Sequence, residues 1–339
     1  MNRPSTGSSH ASDLMALTIG ALGALCIWYA TTHAPAPVLQ TSINSTLPQE
    51  GELRWFDTNR WINERAFTTP SATTPTPTVL LIHGLDEPGG IWDDTAPALD
   101  HAGYQVIRFD YPNDQAIHAS SEGLHTAFTR LAEQGVTNLS IVAHSMGGLI
   151  ARDTLTHPDM GNSTGQIASI TINKLILAGT PNEGSPLAKL RAIGDLRERV
   201  YKWIASDDLD PTIFTTLSDD GDGQAGVDLL PESDFLIALN SRPMPGSVKT
   251  TCIVARIVDP LTTAANPKLD QAANTLGDGV VSVESATLDS CTDIVHLTAN
   301  HRSMLRTIIL EEGWRSMVGS ADAPEPQAIQ IILDRLSSD

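Results

Sequence analysis

From Val79 onward, short runs of consecutive apolar residues alternate with stretches whose apolar positions recur every three or four residues. The runs are "TVLLIH" (Thr78 to His83), "YQVIRFD" (Tyr104 to Asp110), "LSIVAH" (Leu139 to His144) and "KLILAG" (Lys174 to Gly179). Between them lie helix-like segments near Ile91 to His101, Ser120 to Gln134 and Met146 to Thr156. Uninterrupted apolar runs suit strands buried on both faces. A helical pattern after each run predicts βαβ units and a mostly parallel central sheet flanked by helices, an α/β class domain. "TCIVARIV" and "DIVHL" supply the last strands, and a helix is expected to begin near His301.

The alternation breaks between Ser185 and Pro231, where a helix-like stretch, Leu187 to Ala205, precedes the polar run "LSDDGDGQAGVD". An insertion of that length after a sheet strand is where a lid is expected, over residues 185–231. "ESDFLIALN" then reads as a helix with Ser233 as its N-cap. Upstream, "ELRWFDTNRWINERAF" suits a hairpin or edge strand whose tryptophans pack. One domain is therefore expected over residues 51–316. Residues 317–339 form a C-terminal tail, in which "QAIQIILDRL" is one more surface helix.

A tail of residues 1–13 precedes "LMALTIGALGALCIWYA" (Leu14 to Ala30), 17 consecutive uncharged and mostly apolar residues. As a helix this segment would span about 25 Å, at the short end for a bilayer crossing. It reads as a membrane anchor or, alternatively, as the core of a cleaved signal. The Ala/Pro/Thr/Ser-rich residues 31–50 suit an extended linker. The expectation is a membrane-anchored protein with its folded domain exported, periplasmic or extracellular, or else secreted. Cys26 lies inside the apolar segment, which leaves Cys252 and Cys291 as a possible disulfide in the exported part or as two buried free thiols.

Composition narrows the partners. With 41% hydrophobic and 18% charged residues the chain can build a globular core, and its net charge of −19 opposes nucleic acid and anionic lipid head groups. Neutral small-molecule substrates remain open.

Candidate chemistry begins at "IVAHSMGGLI" (Ile141 to Ile150). A buried strand stopping at a serine, with a helix starting at once on paired glycines, is the setting of a nucleophile elbow. Ala143 stands where that pattern usually has glycine, one methyl more at a position where strand and helix backbones nearly touch. Ser145 is the candidate nucleophile. In "LLIHGL", Gly84 permits close backbone approach, and the Leu85 amide can point at a developing oxyanion together with the Met146 amide. His83 and His144 are read as structural. Downstream, "LGDGVVSVESA" places Asp278 between two glycines, with Asp259 and Glu284 as rivals for the acid. "HLTANHRSML" offers His301, after the last strand, ahead of His296, read as core. "SDDGDG" sets Ser218, Asp220, Asp222 and Gly223 at calcium-loop spacing, but Leu229 falls where a bidentate Glu is needed. A solvated acidic loop is the reading there, and no cofactor or metal is expected.

"LLIHGL", "IVAHSMGGLIAR", "LAGTPNEGSPLA", "LLPESDFLIALN", "GDGVVSVESA" and "NHRSML", in that order from about Val79 to Leu310, resemble the lipase branch of the α/β-hydrolases. The resemblance implies the α/β-hydrolase fold with a lid insertion, a Ser145–Asp278–His301 triad and an oxyanion hole from the Leu85 and Met146 amides. It also implies a serine carboxylester hydrolase that cleaves acyl esters of hydrophobic substrates, small-molecule esters or lipids, through an acyl-enzyme. Two alternatives stay open. One is an acyltransferase with the same triad, related to lecithin:cholesterol acyltransferase. The other is a membrane-tethered binding protein without catalysis.

Overall fold

The computed structural model describes residues 51–63, 76–85, 89–185, 223–291, 293–307 and 326–338. The apolar segment Leu14 to Ala30, the linker after it and residues 186–222 of the expected lid lie outside the described residues. Among the described residues no helix is long and apolar enough to cross a membrane.

The strands are β1 (Glu52–Asp57), β2 (Arg60–Ile62), β3 (Thr78–Ile82), β4 (Gln105–Asp110), β5 (Asn138–His144), β6 (Gln166–Ile167), β7 (Ile170–Ala178), β8 (Lys249–Arg256) and β9 (Asp293–Thr298). Their order across the sheet is β2-β1-β4-β3-β5-β7-β8-β9, with β6 beside β7. From β4 to β9 the neighbours run parallel, and the β1–β2 hairpin adds the antiparallel edge expected from "ELRWFDTNRWI". After β4 the chain crosses β3 and continues on its other side. The crevice above the carboxyl ends of β3 and β5 is therefore the point where strand order reverses, the usual ligand position in such sheets.

Alternation along each strand sends side chains to two apolar layers. Leu80, Ile82, Ile141 and Ala143 face one, together with Leu124, Phe128, Leu149 and Ile150 of helices α2 (Ile117–Glu133) and α3 (Met146–Thr156). Val79, Leu81, Val142, Ile176 and Ile253 face the other, with Leu99 of α1 (Thr95–His101). Because both faces are covered, the strands read as unbroken apolar runs.

Contacts between distant parts of the chain refine these elements. Helix α2 starts earlier than Ser120, because the Asp228 carboxylate accepts from the Ile117 N–H at 2.9 Å and caps it. Asp228 closes the short helix α4 (Gln224–Asp228), which ties this end of the expected lid segment to α2. There the Ser185 N–H donates to Leu229 O at 2.9 Å. Helix α5 (Asp234–Asn240) has the expected Ser233 cap, whose Oγ accepts from Leu236 N–H at 3.2 Å. Finally, the C-terminal α9 (Gln327–Ser337) is no mere surface addition. It seals the second apolar layer with Ala328, Ile332 and Leu336, and Lys174 Nζ donates to the carbonyls of Arg335 (2.8 Å) and Leu336 (3.0 Å).

Candidate active site

Strand β5 ends at His144 and α3 begins at Met146, leaving Ser145 alone at the corner with φ 54° and ψ −130°. A side chain in that backbone region costs about 1–3 kcal/mol, so the surroundings must impose it. Two hydrogen bonds hold the corner: Ser145 N–H donates to Ala178 O at 2.9 Å, and Gly148 N–H to Ser145 O at 2.9 Å. The glycines let the helix start so soon. A Cβ on Gly147 would lie 2.5 Å from Ile82 O, and one on Gly148 would collide with Thr180 Oγ1. Ala143 is buried and in register between Ile82 and Leu177, where its methyl joins the apolar layer. Gly84 sits against the serine; a Cβ there would be 2.7 Å from Ser145 Cβ and 3.2 Å from Oγ. Met146 opens the helix, so its N–H has no intrahelical acceptor, and Leu85 directly follows the close approach at Gly84.

Asp278 comes from the other side of the crevice. Helix α7 (Pro267–Leu276) ends on Gly277, with φ 56°, and Gly277 O accepts from Ile257 N–H at 2.8 Å. Asp278 is buried. Its Oδ1 accepts from the N–H groups of Val280 (2.9 Å) and Val281 (2.8 Å), and its Oδ2 lies 2.7 Å from His301 Nδ1. With Nδ1 as donor, Nε2 keeps its lone pair. Gly179, just after β7, is pressed against this pair; a Cβ on it would be 3.0 Å from Asp278 Oδ2 and 3.2 Å from His301 Nδ1. Residues 301–305 form turns, so no helix starts at His301 itself, and residues 308–325 lie outside the described residues. Asn300 Oδ1 accepts from the Arg302 and Ser303 N–H groups at 3.1 and 2.8 Å. Among the described residues no hydrogen bond joins His301 Nε2 to Ser145 Oγ. Such contacts are often long before a substrate arrives.

The rivals fall elsewhere. Asp259 caps the turn α6 (Pro260–Thr263) through Leu261 N–H at 2.8 Å, and Glu284 is exposed on α8 (Val283–Ala286). His296 is exposed on the outer strand β9, not in the core where it was expected. His83 is buried, its Nδ1 2.8 Å from Gly84 O and its ring stacked on Tyr111 at 4.3 Å, and burial lowers its pKa. Cys252 and Cys291 are buried free thiols, not a disulfide; Cys291 Sγ donates to Thr250 O at 2.9 Å. The acidic stretch Ser218 to Asp222 lies outside the described residues, and among those described no group of three His, Cys, Asp or Glu side chains could hold a metal.

Sequence reasoning assigned nothing to Arg152 and Asn182. The Arg152 guanidinium, drawn down to about 10 by burial, donates to Asn182 Oδ1 (3.0 Å) and Asn240 Oδ1 (2.8 Å). Asn182 N–H donates to Ser285 O at 2.8 Å. This network joins α3, the loop after β7, α5 and α8 beneath the crevice. Its one legible trace was Asn182 inside "GTPNEG".

Residues 48–299 match the model of a family described as a domain of unknown function, DUF7379. The chain belongs to this family. No match is found for this DUF7379 protein among curated protein sequences. Among solved structures it is similar to a metagenomic carboxyl esterase, with 17% identity and a TM-score of 0.51 over 78% of this chain and 76% of that one. It is also similar to the mature lipase of Bacillus licheniformis, at 19% identity and a TM-score of 0.48 over 72% of this chain and 90% of the other. A monoacylglycerol lipase from Paleococcus ferrophilus gives 19% identity and 0.41 over 77% and 95%. The likeness is one of fold, and with the sheet order above it makes this DUF7379 domain an α/β-hydrolase fold.

Proposed function

We propose that the chain is a lipase-like serine carboxylester hydrolase acting on acyl esters of hydrophobic substrates. The observation that carries this reading is Ser145, held at a strained corner at a helix N-terminus, with His301 hydrogen-bonded to the buried Asp278 beside it. In this mechanism His301 Nε2 takes the Ser145 proton and Oγ attacks the ester carbonyl. The Met146 and Leu85 amides hold the oxyanion, and such donors are typically worth about 3 kcal/mol each. His301 then protonates the leaving alcohol, and water, activated by the same ring, releases the acid. Asp278 fixes the tautomer and stabilises the imidazolium. Export of the domain, with residues 14–30 as its tether, belongs to the same proposal; fractionation of cells expressing the full chain tests it.

The test of activity is hydrolysis of nitrophenyl esters of graded chain length, together with labelling by a fluorophosphonate. Both are expected in the full chain and absent in Ser145→Ala. Full activity in that variant overturns the proposal. An added acceptor alcohol, with product analysis, separates hydrolysis from acyl transfer.

A further inference from the structure

We infer that His144 is a positioning residue for His301, its ring holding the main-chain carbonyl of the residue read above as the base. The inference rests on the hydrolase reading. His144 Nε2 lies 2.9 Å from His301 O, and the two rings stand 4.6 Å apart, inclined by 43°. A carbonyl can only accept, so Nε2 carries the hydrogen and the ring is fixed as one tautomer.

The geometry explains why this bond matters. Among the described residues His301 sits in a run of turns. Its N–H and Nδ1 are held by Asp278, whereas its carbonyl is held by His144. His144 ends β5, is fully buried, and pairs in register with Ala178. It is also the residue before Ser145. One peptide and one hydrogen bond therefore link the candidate nucleophile to the candidate base through a rigid strand. His144 shares the sheet face of Val142 by strand alternation, which is how it reaches beneath His301 while Ser145 turns outward.

The chemistry of the ring agrees. Burial, followed by the proximity of His301, keeps the His144 pKa well below the ordinary histidine value; Arg302 and His83 act in the same direction, and the bond to His301 O acts against it. His144 thus stays neutral beside the imidazolium that forms on His301. Among the described residues its Nδ1 has no hydrogen-bond partner, so Nε2 is the nitrogen through which the ring is tied.

Kinetics of His144→Phe and His144→Gln test this. Phe keeps a ring without the donor, and Gln restores an N–H of similar reach. For folded His144→Phe, kcat on a nitrophenyl ester is expected to fall about 10- to 100-fold with KM within about twofold, as for a misplaced base. His144→Gln is expected to recover much of that loss. A folded His144→Phe with wild-type kcat, or a Gln variant no better than Phe, overturns the inference. Should neither variant fold, nitrogen NMR of the wild-type histidines decides. At pH 7.5 His144 is expected as the Nε2–H tautomer, and an Nδ1–H His144 overturns the inference. An unreactive wild type removes the hydrolase reading and this inference together, whereas an active enzyme indifferent to His144→Phe removes this one alone.

Discussion

Asp278 and His301 are bonded twice, once through the main chain, where His301 N–H donates to Asp278 O at 2.9 Å, and once through the side chains, where Oδ2 and Nδ1 lie 2.7 Å apart. The two hydrogen bonds fix the imidazole in position as well as in tautomer. Asp278→Asn would keep the main-chain bond but place an amide where an acceptor is needed. In a serine hydrolase that exchange is expected to lower kcat by about 10³- to 10⁴-fold with little change in stability. Ester kinetics beside urea unfolding check both halves, and an active Asn variant would remove Asp278 from the mechanism.

Gly179 is packed where a methyl would press on both members of that pair, and its φ of 58° disfavours any side chain. Gly179→Ala is expected to destabilise the fold by about 1–2 kcal/mol and to lower kcat at least tenfold. If stability falls while kcat holds, the pair has more room than its spacing implies.

Acid should weaken the fold through two histidines. Burial depresses the pKa of both His83 and His144. Below about pH 6.5 the unfolded chain takes up protons at these sites that the native state refuses. Stability is therefore complete above that value and is lost as pH falls towards the lowered native pKa values, with a slope of up to about 2.7 kcal/mol per pH unit for two groups. Urea midpoints at pH 7.5, 6.0 and 5.0 measure this, and His83→Gln should flatten the slope. An unchanged midpoint across that range would contradict the assignment.

Helix α9 closes one face of the sheet with Ile332 fully buried. Ile332→Ala is expected to cost about 2–4 kcal/mol. A loss under 1 kcal/mol in denaturant titration would mean that the helix is only loosely seated.

Much of this arrangement was legible in the sequence because it depends on local pattern. Val79 to Ile82 reads as a doubly buried strand from its apolar run alone, and "AHSMGG" gives the elbow because strand, corner and helix start are contiguous. Asp278 and His301 could be found from their places after strands. What was not legible joins residues far apart in the chain. Asp228 caps a helix that starts at Ile117, Arg152 gathers Asn182 and Asn240, and His144 holds the carbonyl of His301. His296 misled for a different reason: β9 is the outer strand of the sheet, so alternation along it did not mean burial.

The left-handed backbone at Ser145 makes stability itself a reporter of purpose. Glycine would occupy φ 54° without strain, so Ser145→Gly is expected to be inert yet more stable than the wild type, by about 1 kcal/mol or more. A domain kept only for binding would gain from that exchange and lose nothing. A Ser145→Gly variant no more stable than the wild type would mean that the corner carries no strain.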